Sequence, residues 1–162
     1  MLRHCFNWKK LSICAAIAYH WRGRRARLFF SIVSGSYTDE KLIHFLGQLH
    51  RELPRRRVIL IWDGLPSHRS RCMQQFLKLQ LRWLSVVQLP AYAPDLNPVE
   101  YAWGNIQAKE LANLCSDDLN DMTIGVRRGF TRICESKVLV DSFLHHAGIS
   151  FDRHVNQLCR SQ

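Results

Sequence analysis

Two acidic residues stand where a carboxylate could take part in catalysis. Asp63 directly follows the apolar run VILIW, and Glu100 lies within the stretch LPAYAPDLNPVEYAWGNIQ. Asn97 is a favoured helix N-cap, Pro98 suits the first helical position, and Glu100 then falls at the third. The pattern therefore predicts one acid at a strand end and the other in the first turn of a helix.

Carboxylate oxygens are hard ligands that suit Mg²⁺ or Mn²⁺. Two such ions, about 3.5 to 4 Å apart, can activate a water molecule and stabilise the leaving oxygen when a phosphodiester is attacked in line. We predict Asp63 and Glu100 as catalytic, metal-binding acids. Glu100 taken alone has a structural alternative, a capping box in which its side chain accepts from the Asn97 backbone N–H.

The elements around the two acids are predicted to form a βαβ unit. Residues 58–62 are a continuous apolar run, typical of a strand covered on both faces. A helix is predicted from about Arg69 to Trp83, and a further strand over residues 85–89. Strands joined in this way are parallel, so both acids would lie past the carboxyl ends of neighbouring strands, where open α/β sheets place their sites.

The rest of the chain is predicted as one hairpin and several helices. The run LSICAAIAYH indicates a buried strand over residues 11–20, and ARLFFSIV indicates a second over residues 26–33, with a turn between them at residues 21–25. Apolar spacing and cap residues predict helices at residues 39–52 after Thr38, from Pro98 to about Asn113, after Asp117 or Asp118, and at residues 138–146.

Composition describes a basic globular domain. The 162 residues are 47% hydrophobic, which suits one domain with a real core, and 23 Lys and Arg against 13 Asp and Glu give a net charge of +10. No apolar run is long enough to span a membrane, no signal peptide is recognisable, and six scattered cysteines favour a reduced, cytosolic protein.

The excess of arginine favours a polyanionic partner such as DNA. Basic residues cluster at 22–27, at 55–57 and at His68, Arg69 and Arg71, on either side of the acids. The alternative is a solvated basic face that binds nucleic acid only nonspecifically.

Other chemistries have little support. The chain lacks the nucleotide-binding and serine-hydrolase motifs GxGxxG, GxxxxGK[ST] and GxSxG, and consecutive loop residues such as Ser67 and His68 rarely supply a triad with an adjacent acid. The set His145, His146, His154 and Cys159 matches no standard zinc spacing.

The runs LPAYAPDLNPVEYAWGNIQ and WDGLPSHRS resemble the third and second acidic signatures of DDE transposases of bacterial insertion sequences related to mariner elements. Ala91 and Ala93 stand where that family often has Pro and Ser. The resemblance covers nearly the whole chain from Arg3 onward. It implies an α/β, ribonuclease-H-like mixed sheet flanked by helices, with Asp63 as the second metal-binding acid and Glu100 as the third. Asp95 is assigned to hydrogen bonding in the loop and cap.

The resemblance also implies Mg²⁺ or Mn²⁺ as cofactor and DNA, both transposon ends and target, as partner, with no membrane partner. A homo-oligomer or a complex with a full-length transposase is a further expectation. His68 is left open: it lies beside the expected metal site, but an ordinary loop histidine bonded to backbone is equally compatible with the pattern.

One departure from the family pattern is as informative as the match. Such enzymes carry the first acid on the first, central strand, whereas the first acid here, Asp39, opens a helix after the second predicted strand. We therefore expect residues 1–162 to be a single truncated catalytic domain without its first central strand and without a helix-turn-helix region. The strands around Ile13 and Val58 would each lack a partner on one side, making the chain poorly stable and inactive alone.

Three functions remain open from the sequence. The first is metal-dependent DNA cleavage and strand transfer in transposition, carried only in part by this chain. The second is a noncatalytic basic DNA-binding fragment or an inhibitor of a full-length transposase. The third is another ribonuclease-H-like nuclease, or an α/β domain without enzymatic activity.

Overall fold

The computed structural model describes residues 11–20, 24–90, 93–112, 114 and 118–149. The strands are β1 (Leu11–His20), β2 (Arg24–Ser34), β3 (Val58–Trp62) and β4 (Leu84–Gln88). The α-helices are α1 (Asp39–Glu52), α2 (Arg71–Leu79), α3 (Pro98–Ile106), α4 (Leu119–Glu135) and α5 (Lys137–His146). Short 3-10 turns span Pro66–Arg69 and Pro94–Leu96, and a π-helical turn spans Gln107–Leu111.

β1 and β2 form the predicted antiparallel hairpin, with Leu11 opposite Ser34 and Ala18 opposite Arg27. The pairing continues past an irregularity to join His20 with Arg24, so β2 begins two residues earlier than predicted. The rest of the predicted turn, residues 21–23, lies outside the described residues. β1 is half-buried along its whole length instead of fully buried.

The two faces of the hairpin pack against different helices, because successive side chains of a strand point to opposite sides. Ile13, Ala15 and Ile17 pack on a core built mainly from α3, α4 and α5, where Phe30 of β2 stacks on Phe130 with ring centroids 4.6 Å apart. The opposite face packs on a second core from α1 and α2. Its buried members are Leu42, Phe45, Leu46, Leu49 and Met73.

β3 and β4 pair in parallel through the α2 crossover, which confirms the predicted βαβ unit. Leu60 and Trp62 pack on the α1/α2 core, but Ile59 and Ile61 on the other face are 70% and 48% exposed. The prediction of a strand covered on both faces is therefore wrong. α3 and α5 pack instead on the hairpin, and nothing within the described residues buries this side of β3.

The described strands form two separate two-stranded sheets, β1 with β2 and β3 with β4. β1 and β3 are not hydrogen-bonded to each other, although both pack side chains on the α1/α2 core. Within the described part of the chain, each therefore has one edge without a strand partner. For the whole chain, the expectation of unpaired edges at Ile13 and Val58 stays a prediction.

The cap residues account for most helix boundaries. Thr38, Asn97 and Asp118 accept hydrogen bonds from backbone N–H groups of the first turns that follow them, as predicted. The second predicted helix, from about Arg69 to Trp83, is shorter in the structure. The Ser70 hydroxyl accepts from Met73 N at 3.1 Å and starts α2 at Arg71, and the helix ends at Leu79. No helix among the described residues is long and apolar enough to cross a membrane.

Candidate catalytic acids and the loop after β3

Asp63 lies at the carboxyl end of β3, beside the end of β4, where Leu89 N donates to Trp62 O at 2.7 Å. Its side chain is 47% exposed. Asp63 Oδ1 accepts a hydrogen bond from Leu65 N at 3.2 Å, the arrangement of an Asx turn. The carboxylate is therefore held by its own loop and still open to a ligand from solvent.

His68 contacts Asp63 twice through one ring nitrogen. Nδ1 lies 2.9 Å from the Asp63 backbone oxygen and 3.0 Å from Asp63 Oδ1. Because a carbonyl oxygen only accepts, this geometry assigns the proton of the neutral ring to Nδ1. The ring stacks on Trp62, with centroids 4.1 Å apart and planes 5° from parallel, and the side chain is only 11% exposed.

Further contacts fix the backbone of the same loop. Arg69 Nη2 donates to Gly64 O at 2.8 Å, and His68 N donates to Leu65 O at 3.0 Å. Gly64 lies close to the end of β4, where an added Cβ would come 2.9 Å from Gln88 Nε2. We call residues 63–69 the acid loop. The contact of His68 with the loop backbone is one of the two alternatives that the sequence left open. The contacts of His68 with Asp63 Oδ1 and of Arg69 with Gly64 O were not predicted, although a histidine and an arginine shortly after a strand-terminal acid were a visible signal.

Glu100 occupies the first turn of α3, as predicted. Asn97 Oδ1 accepts from Val99 N at 3.2 Å and caps the helix. Glu100 is exposed, and its carboxylate makes no hydrogen bond to Asn97 or to any other described residue. The alternative in which Glu100 completes a capping box is therefore not formed here, and the side chain is available to a ligand.

The helix that carries Glu100 and the loop that carries Asp63 lie near opposite faces of β1. α3 packs on the Ile13 face of β1, whereas Asp63 lies near Cys14 on the other face, close enough for its charge to affect that thiol. Among the described residues, no three His, Cys, Asp or Glu side chains converge to hold a metal ion. Assignment of both acids to one metal site stays a prediction.

The donor chemistry fits a hard divalent cation. Asp63 and Glu100 supply exposed carboxylate oxygens, and exposure leaves room for the water ligands that Mg²⁺ usually keeps. Two carboxylates form only part of an octahedral shell, so water, substrate oxygens or a further acid would have to complete it.

The Cys14 thiol near Asp63 is not poised for nucleophilic chemistry. Burial raises the pKa of the Cys14 thiol to about 11, with a hydrogen bond from Tyr37 opposing this and the Asp63 charge adding to it. Burial likewise raises the pKa of Tyr37 to about 12 and that of Cys134 above its usual value. Both cysteines therefore stay protonated at neutral pH, since the thiolate is the reactive form.

Asp95 takes part in the loop before α3 through its backbone, not its side chain. Tyr101 Oη donates to Asp95 O at 3.3 Å and lies at the same distance from His146 O. The tyrosine thus ties the start of α3 to the end of α5. The predicted loop role of Asp95 holds for its carbonyl group.

The predicted basic clusters differ in their relation to the acids. Arg69 belongs to the acid loop, and Arg71 lies just beyond it at the start of α2. Residues 55–57 precede β3, so the length of that strand, about 15 Å, separates them from Asp63. Arg55 has a φ of 57°, a left-handed conformation that sharply turns the chain into β3. Of these two clusters, only the one at His68, Arg69 and Arg71 includes residues of the acid loop.

Solved structures place this mixed α/β architecture in a known class. The chain is similar to the Mos1 transposase in a paired-end complex with the left transposon end, with a TM-score of 0.65, 20% identity and coverage of 97% of this chain. It is also similar to the catalytic domain of Mos1 mariner transposase, with a TM-score of 0.61, 17% identity and coverage of 92% of this chain and 79% of that one. The predicted ribonuclease-H-like fold, small sheets flanked by helices, is confirmed.

The family follows from the sequence match. Residues 5–123 match the family model described as DDE superfamily endonuclease, and the chain belongs to that family. It spans only 46% of the transposase chain in the paired-end complex. No match was found among curated protein sequences.

Proposed function

We propose that this chain is the catalytic part of a transposase of the insertion-sequence type, acting in metal-dependent cleavage and strand transfer of DNA. The observation that carries the proposal is the acid loop, which presents an oriented, half-exposed Asp63 at the carboxyl end of β3. Membership in the DDE superfamily endonucleases supports a role in DNA cleavage.

Asp63 and Glu100 would hold Mg²⁺ or Mn²⁺. When bound, the ion would activate a water or a DNA hydroxyl and stabilise the leaving oxygen. The acid loop fixes one oxygen of Asp63, and α3 holds Glu100 at a helix start where no described residue bonds to its carboxylate. Structures of the Mos1 transposase catalytic domain with Mn and with Mg support the choice of cation.

We further propose that these two acids form an incomplete site. β1 and β3 pack on one helical core without pairing, and a strand seated between them would join the two sheets. A third acid on such a strand would complete the metal shell. Without it, the described acids should hold metal weakly, and the chain should cleave DNA slowly or not at all, because catalysis is sensitive to small errors in position.

DNA is the proposed partner, both as transposon ends and as target. The net charge of +10 supports it, and Arg69, whose Nη2 donates to Gly64 O, places positive charge beside Asp63. Similar Mos1 chains are in complexes with a transposon end and in a strand transfer complex. A second copy, or a full-length transposase, remains a proposed protein partner.

The metal site is tested by Mn²⁺ binding, measured from the free-ion signal in electron paramagnetic resonance. Asp63→Asn and Glu100→Gln should each weaken binding by at least about tenfold, since loss even of a residue that only supports a ligand typically costs about 10- to 100-fold. Glu40→Gln is the matched control, because Glu40 is also an exposed acid in the first turn of a helix. Unchanged binding by folded Asp63→Asn and Glu100→Gln chains would overturn the metal-site proposal.

The second candidate function is noncatalytic DNA binding, and one observation favours it. The cluster at residues 55–57 lies away from the acids, so it can bind DNA without presenting it to Asp63. If this function is right, replacing all three arginines with alanine should weaken DNA binding and flatten its salt dependence, while Asp63→Asn leaves both unchanged. Weaker Mn²⁺ binding by Asp63→Asn, with metal binding unchanged in the triple arginine variant, would instead favour the catalytic function.

A further inference from the structure

His68 is the residue of the acid loop whose contacts the proposed function does not yet use. Nδ1 of this ring lies between two oxygens of the same residue, the backbone O of Asp63 at 2.9 Å and its Oδ1 at 3.0 Å. A histidine that only capped the loop would need only the contact with the Asp63 backbone O. The second brings the Nδ1–H dipole against the carboxylate itself.

The ring is held rigidly enough to act as a support. It stacks on Trp62, which packs on the α1/α2 core, and only 11% of the side chain is exposed. Its backbone is fixed by the bond from His68 N to Leu65 O and by Gln74 Nε2, which donates to His68 O at 3.3 Å. A side chain fixed on three sides loses little further entropy when it orients a neighbour.

The contacts also distinguish the two oxygens of Asp63. Oδ1 accepts from Leu65 N and faces His68 Nδ1. No described residue donates to Oδ2. An oxygen that accepts from no described residue keeps its full capacity for a cation.

From this geometry we propose that His68 is a positioning residue for Asp63: its Nδ1–H group, with the ring fixed on Trp62, holds Oδ1 and orients Oδ2 toward a divalent cation. The inference rests on the proposed metal-binding function and assigns to His68 the role of supporting a ligand. Histidines and other groups that orient ligands in this way typically change metal affinity by about 10- to 100-fold when they are replaced.

Two substitutions separate the hydrogen-bond donor from the ring. His68→Asn keeps an N–H donor near the position of Nδ1 and loses the stacking on Trp62. His68→Phe keeps a ring on Trp62 and has no donor. In Mn²⁺ binding to the full chain, we expect His68→Phe to lose about tenfold in affinity and His68→Asn to stay within about threefold of the wild type.

Unfolding by denaturant is measured on the same variants. If His68 only packs on Trp62, His68→Asn should bind Mn²⁺ more weakly and be less stable than His68→Phe. That order of effects, or equal Mn²⁺ affinity in all three chains, overturns the proposal. Rescue of metal affinity by Asn but not by Phe supports it.

A second readout does not depend on metal. Nuclear magnetic resonance of the ¹⁵N-labelled ring at neutral pH should show the neutral His68 as the Nδ1–H tautomer, with a resonance that shifts in Asp63→Asn. An Nε2–H tautomer, or a resonance insensitive to Asp63→Asn, overturns the positioning contact. If the tautomer is as expected but Asp63→Asn does not weaken Mn²⁺ binding, the metal function fails while the contact itself stands.

Discussion

The two acids belong to halves of the molecule that differ in how they are packed and how they hold the acid. Glu100 starts a helix of the half formed by the hairpin and α3, α4 and α5, where the core is buried but the carboxylate has no described partner. Asp63 ends a strand of the β3/β4 half, where one face of the sheet is exposed but the carboxylate is held by Leu65 and His68. Stability of the fold and order of the candidate site therefore come from different contacts.

The largest effect should come from the buried core of the hairpin half. Phe130 is 1% exposed and stacks on Phe30. Phe130→Ala should cost about 3 to 5 kcal/mol of the free energy of unfolding, because it removes a large buried ring and leaves a cavity. Urea unfolding followed by circular dichroism measures this, and a loss under about 1 kcal/mol would show that the hairpin half does not carry the stability.

An ion pair inside the same half should give the next effect. Arg132 Nη2 lies 2.9 Å from Glu110 Oε2 and 2.8 Å from Asn105 Oδ1, and joins α4 to the π-helical turn. Arg132→Ala should cost about 2 kcal/mol, since it leaves the largely buried Glu110 carboxylate without its charged donor. Arg128→Ala, on an exposed position of the same helix, is the control and should change little.

The same pair predicts a pH dependence. The hydrogen bond from Arg132 lowers the pKa of Glu110 in the folded chain below its ordinary value of 4.5. Its stabilisation is therefore complete above pH 4.5 and is lost as the pH falls through the lowered folded pKa. The free energy of unfolding of wild type should fall more steeply below pH 4.5 than that of Glu110→Gln, and parallel pH profiles would contradict this contribution.

Glycine substitutions test the packing of the hairpin half against an open helix. A Cβ at Gly129 would lie 2.8 Å from Ile106 Cγ1 and 2.9 Å from Glu110 Oε2, whereas a Cβ at Gly47 in α1 meets nothing within 4 Å. Gly129→Ala should destabilise by about 1 to 3 kcal/mol through overpacking. Gly47→Ala should stabilise by about 0.4 to 1 kcal/mol, because alanine restricts the unfolded chain. Equal effects of Gly129→Ala and Gly47→Ala on the free energy of unfolding would contradict this difference in packing.

The smallest effect on the free energy of unfolding is expected when isoleucine is replaced by valine, which removes one methyl group, in each half. Ile133 is 0% exposed and Ile61 is 48% exposed. Ile133→Val should cost about 0.5 to 1.5 kcal/mol, while Ile61→Val should stay within about 0.5 kcal/mol of wild type. A larger cost at Ile61, measured by urea unfolding, would mean that the exposed face of β3 is covered in solution.

Local signals in the sequence predicted much of the fold correctly. The errors in the prediction arose where the structure depends on long-range contacts. Cap residues such as Thr38 and Asn97 predicted helix starts because they act within one turn. The run of residues 58–62 is apolar at every position, so its pattern could not reveal that Ile59 and Ile61 face outward. They are exposed because α3 and α5 pack on the hairpin and not on β3, and this packing depends on residues far along the chain.

In the candidate site, too, features set by neighbouring residues were predicted and features set by long-range contacts were not. The placement of Asp63 after a strand and of Glu100 in a first helical turn followed from neighbouring residue types. The stacking of His68 on Trp62 and the packing of α3 on β1 did not, because both depend on how the loop and the helices fold back onto the strands. The assignment of Glu100 to the candidate site therefore has less structural support than the assignment of Asp63.

Whether Asp63 and Glu100 hold one ion is best tested by paramagnetic broadening of ¹³C carboxyl resonances in the labelled full chain. Substoichiometric Mn²⁺ should broaden the signals of Asp63 and Glu100 together, and leave the signal of Glu40, an exposed acid at another helix start, sharp. Broadening of only one of the two acids, or of Glu40 to the same degree, would contradict a shared metal site.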